Sequence, residues 1–196
     1  RPLDAGMTGL LTDKVAIVTG AGQGVGEGIA RALADAGAAV VIAARRAENG
    51  EPAAAVLRER GHEASFVRCD VSVEADVAAA IEHTIDTHGR LDIVVHNAVS
   101  PPGPPGPVQV VDPDVITAQI ATSTTASYLF ARAAHPHLVA NRGTLILLTS
   151  PAGMEGSGNL PVYATVKGAQ RGLLKSLARE WGPDGIRVNA IAPVAW

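Results

Sequence analysis

Short runs of apolar, mostly β-branched residues alternate along this chain with longer, alanine-rich segments of helical period. Strands that are buried on both faces carry continuous apolar runs, and they occur in parallel sheets that helices cover on both sides. The alternation therefore predicts βαβ units and an α/β fold, with a doubly wound parallel sheet of the Rossmann type in three α/β/α layers.

Six segments are predicted as strands and five as helices. The strands are residues 15–19, 39–43, 65–68, 91–96, 144–149 and 187–191, and the helices are residues 26–36, 48–60, 74–88, 114–140 and 162–181, of which the fourth is expected to be interrupted. Gly37, Gly61 and Gly89 follow the first three helices, and glycine favours the left-handed conformation that ends a helix. The proline-rich residues 101–107 can continue neither a helix nor a strand. They predict a loop, which is either a stiff surface connector or a wall of an active site.

Composition limits the classes of function. With 196 residues, 47% of them hydrophobic and 18% charged, the chain can bury one core, and we expect an N-terminal extension over residues 1–13 and a single domain over residues 14–196. The net charge of -3 and the lack of a Lys/Arg cluster argue against nucleic acid and anionic membranes as partners. No apolar run is long enough for a signal peptide or a membrane span. Cys69 is the single cysteine, which excludes an internal disulfide and favours a cytoplasmic location.

A glycine-rich turn joins the first predicted strand to the first helix, and it reads Thr19-Gly20-Ala21-Gly22-Gln23-Gly24-Val25-Gly26. Glycine is required where a Cβ atom would block the turn or a ligand, and the N–H groups at the start of a helix can face a pyrophosphate. A glycine-rich string alone is a weak signal. Its position between a strand and a helix of a βαβ unit favours dinucleotide binding over a purely structural turn.

Residues 14–26 resemble the T-G-x-x-x-G-x-G cofactor motif of the short-chain dehydrogenase/reductase superfamily. The resemblance implies that Gly20, Gly24 and Gly26 approach the phosphates of a nicotinamide dinucleotide. It also implies that Asp70 and Val71, after the third strand, meet the adenine ring. Asp70 is equally well explained as a residue that caps the end of that strand.

The end of the second strand bears on the choice of cofactor. Arg45 and Arg46 stand there, and no acidic residue is present to bond a ribose 2′-hydroxyl, whereas an arginine accepts a 2′-phosphate. This favours NADP(H) over NAD(H). Two solvated arginines are the alternative, and Gln23 stands where many relatives that use NADP carry a basic residue.

Tyr163 and Lys167 are four residues apart near the start of the last predicted helix, so their side chains lie on one face and can meet. A phenol with a pKa near 10 is a poor base at neutral pH, but a nearby ammonium favours its ionised form and lowers its pKa. Taken alone, the pair is better explained by a packed tyrosine beside a solvated lysine. Ser150, at the end of the fifth strand and thirteen residues before Tyr163, changes that balance.

Serine, tyrosine and lysine occur in the order of the same superfamily's catalytic pattern, and residues 189–193 resemble its sixth-strand segment, so the resemblance covers residues 14–193. It implies that Tyr163 gives or takes the proton and that Ser150 orients the substrate oxygen. Lys167, by the same resemblance, lowers the pKa of the tyrosine and holds the nicotinamide ribose.

The chain departs from the family pattern in three places. Ser123 stands where many relatives carry an asparagine that supports a proton relay. His96 begins a segment that reads N-N-A-G in many members, and Asn97 is retained there, with an expected structural role at the sheet edge besides contact with the cofactor. We expect His96 to be hydrogen-bonded rather than catalytic. The family usually continues past Trp196, so a final strand and a substrate-covering segment are expected to be missing, either because the natural protein is longer or because this is a shortened relative.

The predicted function is hydride transfer between NAD(P)(H) and an alcohol or ketone, as in the 3-oxoacyl reductase and carbonyl reductase type, with no metal. The resemblance also implies a homo-oligomer, either a dimer or a tetramer. The alternatives are a non-redox enzyme of the same family, namely a dehydratase, epimerase or isomerase, and a non-catalytic nucleotide-binding protein. The catalytic candidates are Ser150, Tyr163, Lys167 and Ser123, and the cofactor-binding candidates are Gly20, Gln23, Gly24, Val25, Gly26, Arg45, Asp70, Val71, Asn97 and Lys167.

Overall fold

The computed structural model describes residues 9–194. Residues 1–8, which make up most of the predicted N-terminal extension, lie outside this range, as do residues 195–196 at the end of the predicted domain. Six parallel strands form one sheet in the order β3-β2-β1-β4-β5-β6. The strands are β1 (Val15–Thr19), β2 (Ala39–Ala44), β3 (Ala64–Arg68), β4 (Ile93–His96), β5 (Thr144–Leu148) and β6 (Arg187–Ile191). The doubly wound parallel sheet predicted from the sequence is confirmed.

Seven α-helices accompany the sheet within the described residues. They are α1 (Gly24–Asp35), α2 (Ala47–Glu59), α3 (Glu74–His88), α4 (Pro113–Gln119), α5 (Ala126–Asn141), α6 (Ala152–Glu155) and α7 (Pro161–Trp181). The first helix begins two residues earlier than predicted, because the extended backbone of Gln23 already provides its N-cap. Gly37, Gly61 and Gly89 have positive φ angles and end α1, α2 and α3 as expected. No helix in this part of the chain is both long and apolar enough to cross a bilayer.

The predicted interruption of the fourth helix is a π-helical turn. It covers Ile120–Thr125, and α4 precedes it while α5 follows it. Hydroxyl side chains bond back to the helix around this turn: Thr122 Oγ1 donates to the Ala118 carbonyl at 2.7 Å, and Ser127 Oγ donates to the Ser123 carbonyl at 2.6 Å. Such bonds compete with the regular backbone ladder and bend helices. The turn places two buried polar side chains, Gln119 and Ser123, on the inside of the fold.

Each face of the sheet is covered by its own set of helices. Small residues of α1 and α2, such as Ala30 and Ala54, pack with Val18 and Ile42 on one face. Larger side chains of α3, α5 and α7 pack on the other face, where Phe130 is fully buried. Because both faces are dry, every residue of β1 and β2 is buried, which explains their continuous apolar sequences. Polar groups are therefore available to a ligand only at the ends of the strands.

Asp92 holds together the edge of the sheet opposite to its carboxyl ends. Its buried carboxylate accepts two hydrogen bonds from Arg90, at 2.8 and 2.7 Å, one from Lys14 at 3.2 Å, and one from the backbone N–H of Val15 at 3.0 Å. Burial raises the pKa of this carboxyl, but the bonds from Arg90, Val15 and Lys14 outweigh burial and hold the pKa below its usual value. The charge therefore ties the start of β1 to the residue that precedes β4.

Replacing this carboxylate tests that role. We expect Asp92→Asn to lower the free energy of unfolding by about 2–4 kcal/mol, because a charge that accepts several bonds is lost from a buried position. The folded-state pKa is depressed, so the contribution is present above the unfolded pKa, about 3.9, and is lost as the pH falls through the folded pKa. Urea denaturation at neutral and acid pH measures both effects. Glu51→Gln, at an exposed pair with Arg58, is the control and should cost at most about 1 kcal/mol.

Candidate active site

A cleft of about 490 Å³ opens at the carboxyl ends of the strands. It lies where β1 and β4 are neighbours, since the chain winds from β1 towards β2 on one side and from β4 towards β5 on the other. Ligands of open α/β sheets bind at this switch point. The cleft brings together the following predicted site residues: Gly20, Gln23, Gly24, Val25, Gly26, Arg45, Asp70, Val71, Asn97, Tyr163 and Lys167. Ser150 and Ser123 do not line it.

The glycine-rich turn leaves room on its outer side and none on its inner side. Gly24 begins α1 with a φ of +61°, and a Cβ atom there would meet nothing within 4 Å. A Cβ atom on Gly26 would lie 2.5 Å from both the Gly20 carbonyl oxygen and Asn97 Nδ2. The first N–H groups of α1 therefore face open space, while the turn packs directly on the end of β4. This open space at a helix N-terminus fits a phosphate group.

Thr19 joins the ends of β1 and β4 through one hydroxyl. Its Oγ1 accepts the backbone N–H groups of Asn97 and Ala98, both at 3.0 Å, and lies 3.1 Å from His96 Nδ1. The Asn97 side chain donates in turn to the carbonyls of Thr19, at 3.0 Å, and Gly20, at 3.3 Å. The structural role expected for Asn97 is thus visible: its amide hydrogens hold the glycine turn.

His96 is buried and hydrogen-bonded at both ring nitrogens. Nε2 lies 3.2 Å from the Thr122 carbonyl, which can only accept, so Nε2 carries the proton and Nδ1 accepts from the Thr19 hydroxyl. Burial and, to a smaller extent, the charge of Lys167 lower the pKa of His96 to about 4. The ring is therefore neutral near neutral pH. This environment agrees with the expectation that His96 is hydrogen-bonded rather than catalytic.

Arg45 and Asp70 both line the cleft, Arg45 directly after β2 and Asp70 two residues after β3. Asp70 Oδ1 accepts from the backbone N–H and the hydroxyl of Ser72, at 3.0 and 2.6 Å, so the strand-end cap considered in the sequence is formed. The hydroxyl bond is the main cause that lowers the pKa of Asp70, and Arg45 adds to it. Arg45 makes no ion pair within residues 9–194, whereas Arg46 pairs with Glu48 at 3.7 Å.

Tyr163 and Lys167 meet on one face of α7, as the four-residue spacing predicts. Lys167 Nζ lies 5.6 Å from the centre of the Tyr163 ring. Lys167 is only 3% exposed, and burial lowers its pKa to about 8. Its ammonium donates to the Leu148 carbonyl at 2.5 Å and to Gln170 Oε1 at 3.1 Å. The Tyr163 hydroxyl makes no hydrogen bond to the described residues, which leaves it available to a ligand in the cleft.

Ser150 follows β5 and does not line the cleft. Its Oγ accepts the backbone N–H of Ala152 at 3.3 Å. Gly153, on α6, allows close contact with α7, since a Cβ atom there would lie 2.5 Å from the backbone of Lys167. The loop that carries Ser150 is thus seated on the turn of α7 that bears the lysine.

Ser123 is fully buried within the π-helical turn, and its hydroxyl has no hydrogen-bond partner in the described residues. Its carbonyl accepts from Gln170 Nε2 at 3.3 Å, and Gln170 contacts Lys167 with the other side of its amide. Gln170 was not among the site residues predicted from the sequence. The signal was present, because a polar residue three positions after Lys167 falls on the same buried face of a helix.

Comparison with known proteins agrees with this architecture. The family model described as short chain dehydrogenase matches residues 14–196. The L-fucose dehydrogenase of Oryctolagus cuniculus is 39% identical over 180 residues, which are 92% of this chain and 62% of that protein. The cis-4-hydroxycyclohexanecarboxylate dehydrogenase of Sinomonas cyclohexanicum is 37% identical over 182 residues, 92% of this chain and 72% of that protein. The chain thus spans less than two thirds of the first of these relatives.

Solved structures give the same result. A 3-ketoacyl-(acyl-carrier-protein) reductase from Brucella melitensis, complexed with NADH, superimposes with a TM-score of 0.89 at 35% identity, over 94% of this chain and 77% of that one. A xylitol dehydrogenase bound to NAD+ superimposes with a TM-score of 0.89 at 32% identity, over 93% of this chain and 70% of that one.

The packing of the glycine turn on β4 predicts opposite effects for two glycines of α1. Gly26→Ala should lower the free energy of unfolding by about 1–3 kcal/mol, because its Cβ atom collides with backbone and with Asn97. Gly28→Ala, where a Cβ atom meets nothing within 4 Å, should raise it by up to about 1 kcal/mol through helix propensity. Urea denaturation of the two variants checks this. Equal effects would mean that the turn is not packed on β4 in this way.

Proposed function

The chain belongs to the short-chain dehydrogenase family, and from that premise we propose that it is an oxidoreductase that transfers a hydride between a nicotinamide dinucleotide and an alcohol or ketone carbon. One observation carries the proposal most directly. The Tyr163 hydroxyl, which makes no hydrogen bond to any of residues 9–194, shares a single cleft with a buried Lys167 ammonium and with an open glycine turn. An acid-base group, a positive charge and a phosphate site are the parts that such a reaction needs.

The cleft has features that fit a dinucleotide. The open space beside Gly24 would take the phosphates, and the pocket between Arg45 and Val71 would take the adenosine part. An ammonium has three N–H donors, of which Lys167 uses two on Leu148 and Gln170, so one is left for a ribose hydroxyl. When bound there, the nicotinamide would supply or accept the hydride.

In the proposed reaction, the protein residues handle the oxygen and its proton. Tyr163 would give its hydroxyl proton to the substrate oxygen during reduction and take it back during oxidation, as a general acid or base. The Lys167 ammonium, near the tyrosine ring, favours the phenolate that remains after the proton has left. Ser150, which follows β5 next to the cleft, would donate a hydrogen bond to the same oxygen and orient it once its side chain turns from the Ala152 N–H into the cleft. Ser123 is fully buried and does not line the cleft, so no contact with the substrate is proposed for it.

The names of the relatives indicate the substrates to test. They include a sugar, a cyclic hydroxy acid and a 3-ketoacyl group, each of which carries a secondary alcohol or the corresponding ketone. We propose a small molecule of this class as substrate. The proline-rich residues 101–107 are a loop, and Pro101 lines the cleft, which supports the interpretation of this segment as a wall of the site.

We further propose a homo-oligomer, in agreement with the expectation from the sequence. Apolar side chains remain exposed along the interrupted helix, and the larger ones are Ile116, Ile120 and Tyr128. A self-complementary pairing through this surface would bury them. The expected cytoplasmic location and the domain boundary at residue 14 remain predictions.

Removing the phenolic hydroxyl tests the proposed acid-base residue. Tyr163→Phe should lower kcat about 10²–10⁴-fold, since that is the usual contribution of a positioned acid or base, and should leave dinucleotide affinity within about twofold. The assay follows NAD(P)H absorbance with L-fucose, cis-4-hydroxycyclohexanecarboxylate, xylitol and a 3-ketoacyl thioester. Tyr128→Phe is the matched control, because Tyr128 is 56% exposed on α5 and lies outside the cleft.

The outcomes of this assay separate the candidate functions. Hydride transfer that survives Tyr163→Phe would contradict the role given to the tyrosine. Dinucleotide binding without any change in its redox state, but with conversion of substrate, would favour a non-redox enzyme of the family. Binding without any conversion would favour a nucleotide-binding protein, and no binding at all would contradict the whole proposal.

Cofactor choice has a separate test. We propose that NADP(H) is preferred, because Arg45 follows β2 without an ion pair inside residues 9–194 and no acidic residue stands beside it at positions 43–47, although the two solved relatives above carry NADH and NAD+. Arg45→Ser should weaken NADPH binding about tenfold or more and change NADH binding little, as expected for the loss of a bond to a charged phosphate. Arg60→Ser, which removes an arginine that pairs with Asp35 and does not line the cleft, is the control. Tighter binding of NADH by the unchanged protein would show the preference to be wrong.

A further inference from the structure

Lys167 carries a buried positive charge that no carboxylate balances. None of the ion pairs formed within residues 9–194 includes Lys167, and burial is the cause that lowers its pKa. A buried charge is costly unless hydrogen bonds compensate it. Leu148, at the end of β5, supplies one carbonyl oxygen. The other acceptor is the side chain of Gln170, which therefore matters more than a surface glutamine.

The orientation of the Gln170 amide follows from its neighbours. An ammonium only donates, so the atom that faces Lys167 Nζ at 3.1 Å must be the oxygen Oε1. Nε2 then faces the Ser123 carbonyl at 3.3 Å and the Ser127 hydroxyl at 3.0 Å. A carbonyl only accepts, so both ends of the amide independently require the same orientation.

The partners of Gln170 fully satisfy it. Its oxygen accepts from the ammonium, and its two amide hydrogens reach Ser123 and Ser127, while Ser127 Oγ itself donates to the Ser123 carbonyl at 2.6 Å. Gln170 is 1% exposed. A buried amide with every group bonded has one low-energy position, so it can fix the position of the ammonium beside it.

We propose that Gln170 is the positioning residue for Lys167, holding its ammonium between the carboxyl end of β5 and the carbonyl of the π-helical turn. The importance of this position for catalysis rests on the proposed function, whereas the contact itself does not. Through Gln170, the π-helical turn and the carboxyl end of β5 become the two supports of a single charge.

Other side chains at position 170 would not do the same. Methionine has a similar length but neither accepts well nor donates, so the ammonium would keep one protein acceptor and the Ser123 carbonyl would lose a donor. Glutamate would bind the ammonium more strongly, but its second oxygen would face the Ser123 carbonyl and repel it. The two replacements therefore shift the proton affinity of Lys167 in opposite directions.

Two other titratable groups face Lys167, and neither obscures its titration. Tyr163 lies on the same helix, with its ring 5.6 Å from Nζ. His96 faces it from β4, and the pKa of His96 is about 4, so its ring stays neutral throughout the range in which Lys167 titrates. A change near pH 8 that persists in Tyr163→Phe therefore belongs to the lysine.

Lysine titration measured by NMR is the experiment. The chain has only three lysines, Lys14, Lys167 and Lys175, so a sample labelled with 13C in the lysine side chains gives three Cε signals, which Lys14→Arg and Lys175→Arg assign. We expect the Lys167 signal of the unchanged protein to titrate near pH 8. Gln170→Met should weaken proton binding at Lys167 about tenfold or more, and Gln170→Glu should strengthen it by a similar factor.

Ser127→Ala is the matched control. It removes the outer hydroxyl of the network and should lower stability, but it keeps the contact between Gln170 and Lys167, so the Lys167 midpoint should stay within about twofold in proton affinity. If Gln170→Met and Gln170→Glu leave the midpoint where it is, or move it in the same direction, the proposal is wrong. If Gln170→Met does not fold, the other two variants still decide: a Lys167 midpoint that rises in Gln170→Glu and stays unchanged in Ser127→Ala supports the proposal, and an unchanged midpoint in Gln170→Glu contradicts it.

Activity adds a second readout. In Gln170→Met, kcat should fall at pH 7 and recover at lower pH, where Lys167 regains its proton, while KM changes little. The titration needs neither dinucleotide nor substrate. A shifted midpoint in a protein without turnover would therefore support the role of Gln170 and contradict only the proposed function, and a turnover unaffected by Tyr163→Phe would leave the Lys167 result intact.

Discussion

The desolvated ammonium of Lys167 is the constraint on which the arrangement of this cleft depends. A positive charge that is 3% exposed and unpaired by any carboxylate in residues 9–194 is stable only where backbone and amide oxygens are fixed in place to meet it. Those oxygens come from Leu148, where β5 ends, and from Gln170, which is itself held by the π-helical turn. The charge thus determines how α7, the sheet and the interrupted helix must meet. Tyr163 lies one helical turn before the lysine, so the same face of α7 carries both side chains and fixes where the tyrosine lies.

The opposite wall of the cleft depends on a neutral group. Thr19 can accept the N–H groups of Asn97 and Ala98 and donate to His96 only while Nδ1 of that ring carries no proton. Burial and the nearby Lys167 charge both lower the pKa of His96, so the charge on one side helps to keep the other side in its bonded form. Asn97 then holds the glycine turn, and the turn leaves its outer side open beside Gly24. The phosphate end and the reacting end of the cleft are therefore electrostatically coupled.

The sequence could predict the fold because burial on both faces of the sheet leaves a direct trace in composition. The continuous apolar runs of β1 and β2 arise from that burial. The end of α3 was predictable because glycine adopts the positive φ angle that Gly89 has there. The meeting of Tyr163 and Lys167 was equally accessible, since it needs only helical spacing. The hydrogen bond between Gln170 and Ser123 could not be predicted, because it joins residues 47 positions apart. It also depends on a π-helical turn, which none of the sequence patterns above specifies.

The same turn explains why a helix is interrupted beside the cleft at all. Thr122 and Ser127 bond back to carbonyls four residues earlier, and such bonds weaken the regular ladder of a helix. A side chain that inserts into the ladder also disturbs it, and the Gln170 amide reaches one of these carbonyls, that of Ser123. The interruption consequently presents the Ser123 carbonyl towards α7, where a regular α-helix would keep that carbonyl in its own hydrogen-bond ladder. The Thr122 carbonyl also accepts a hydrogen bond from His96 Nε2. The interruption therefore contacts both the His96 side and the Lys167 side of the cleft. The irregular helix and the buried lysine are parts of one polar network, because Gln170 bonds to the Ser123 carbonyl with one end of its amide and to Lys167 with the other.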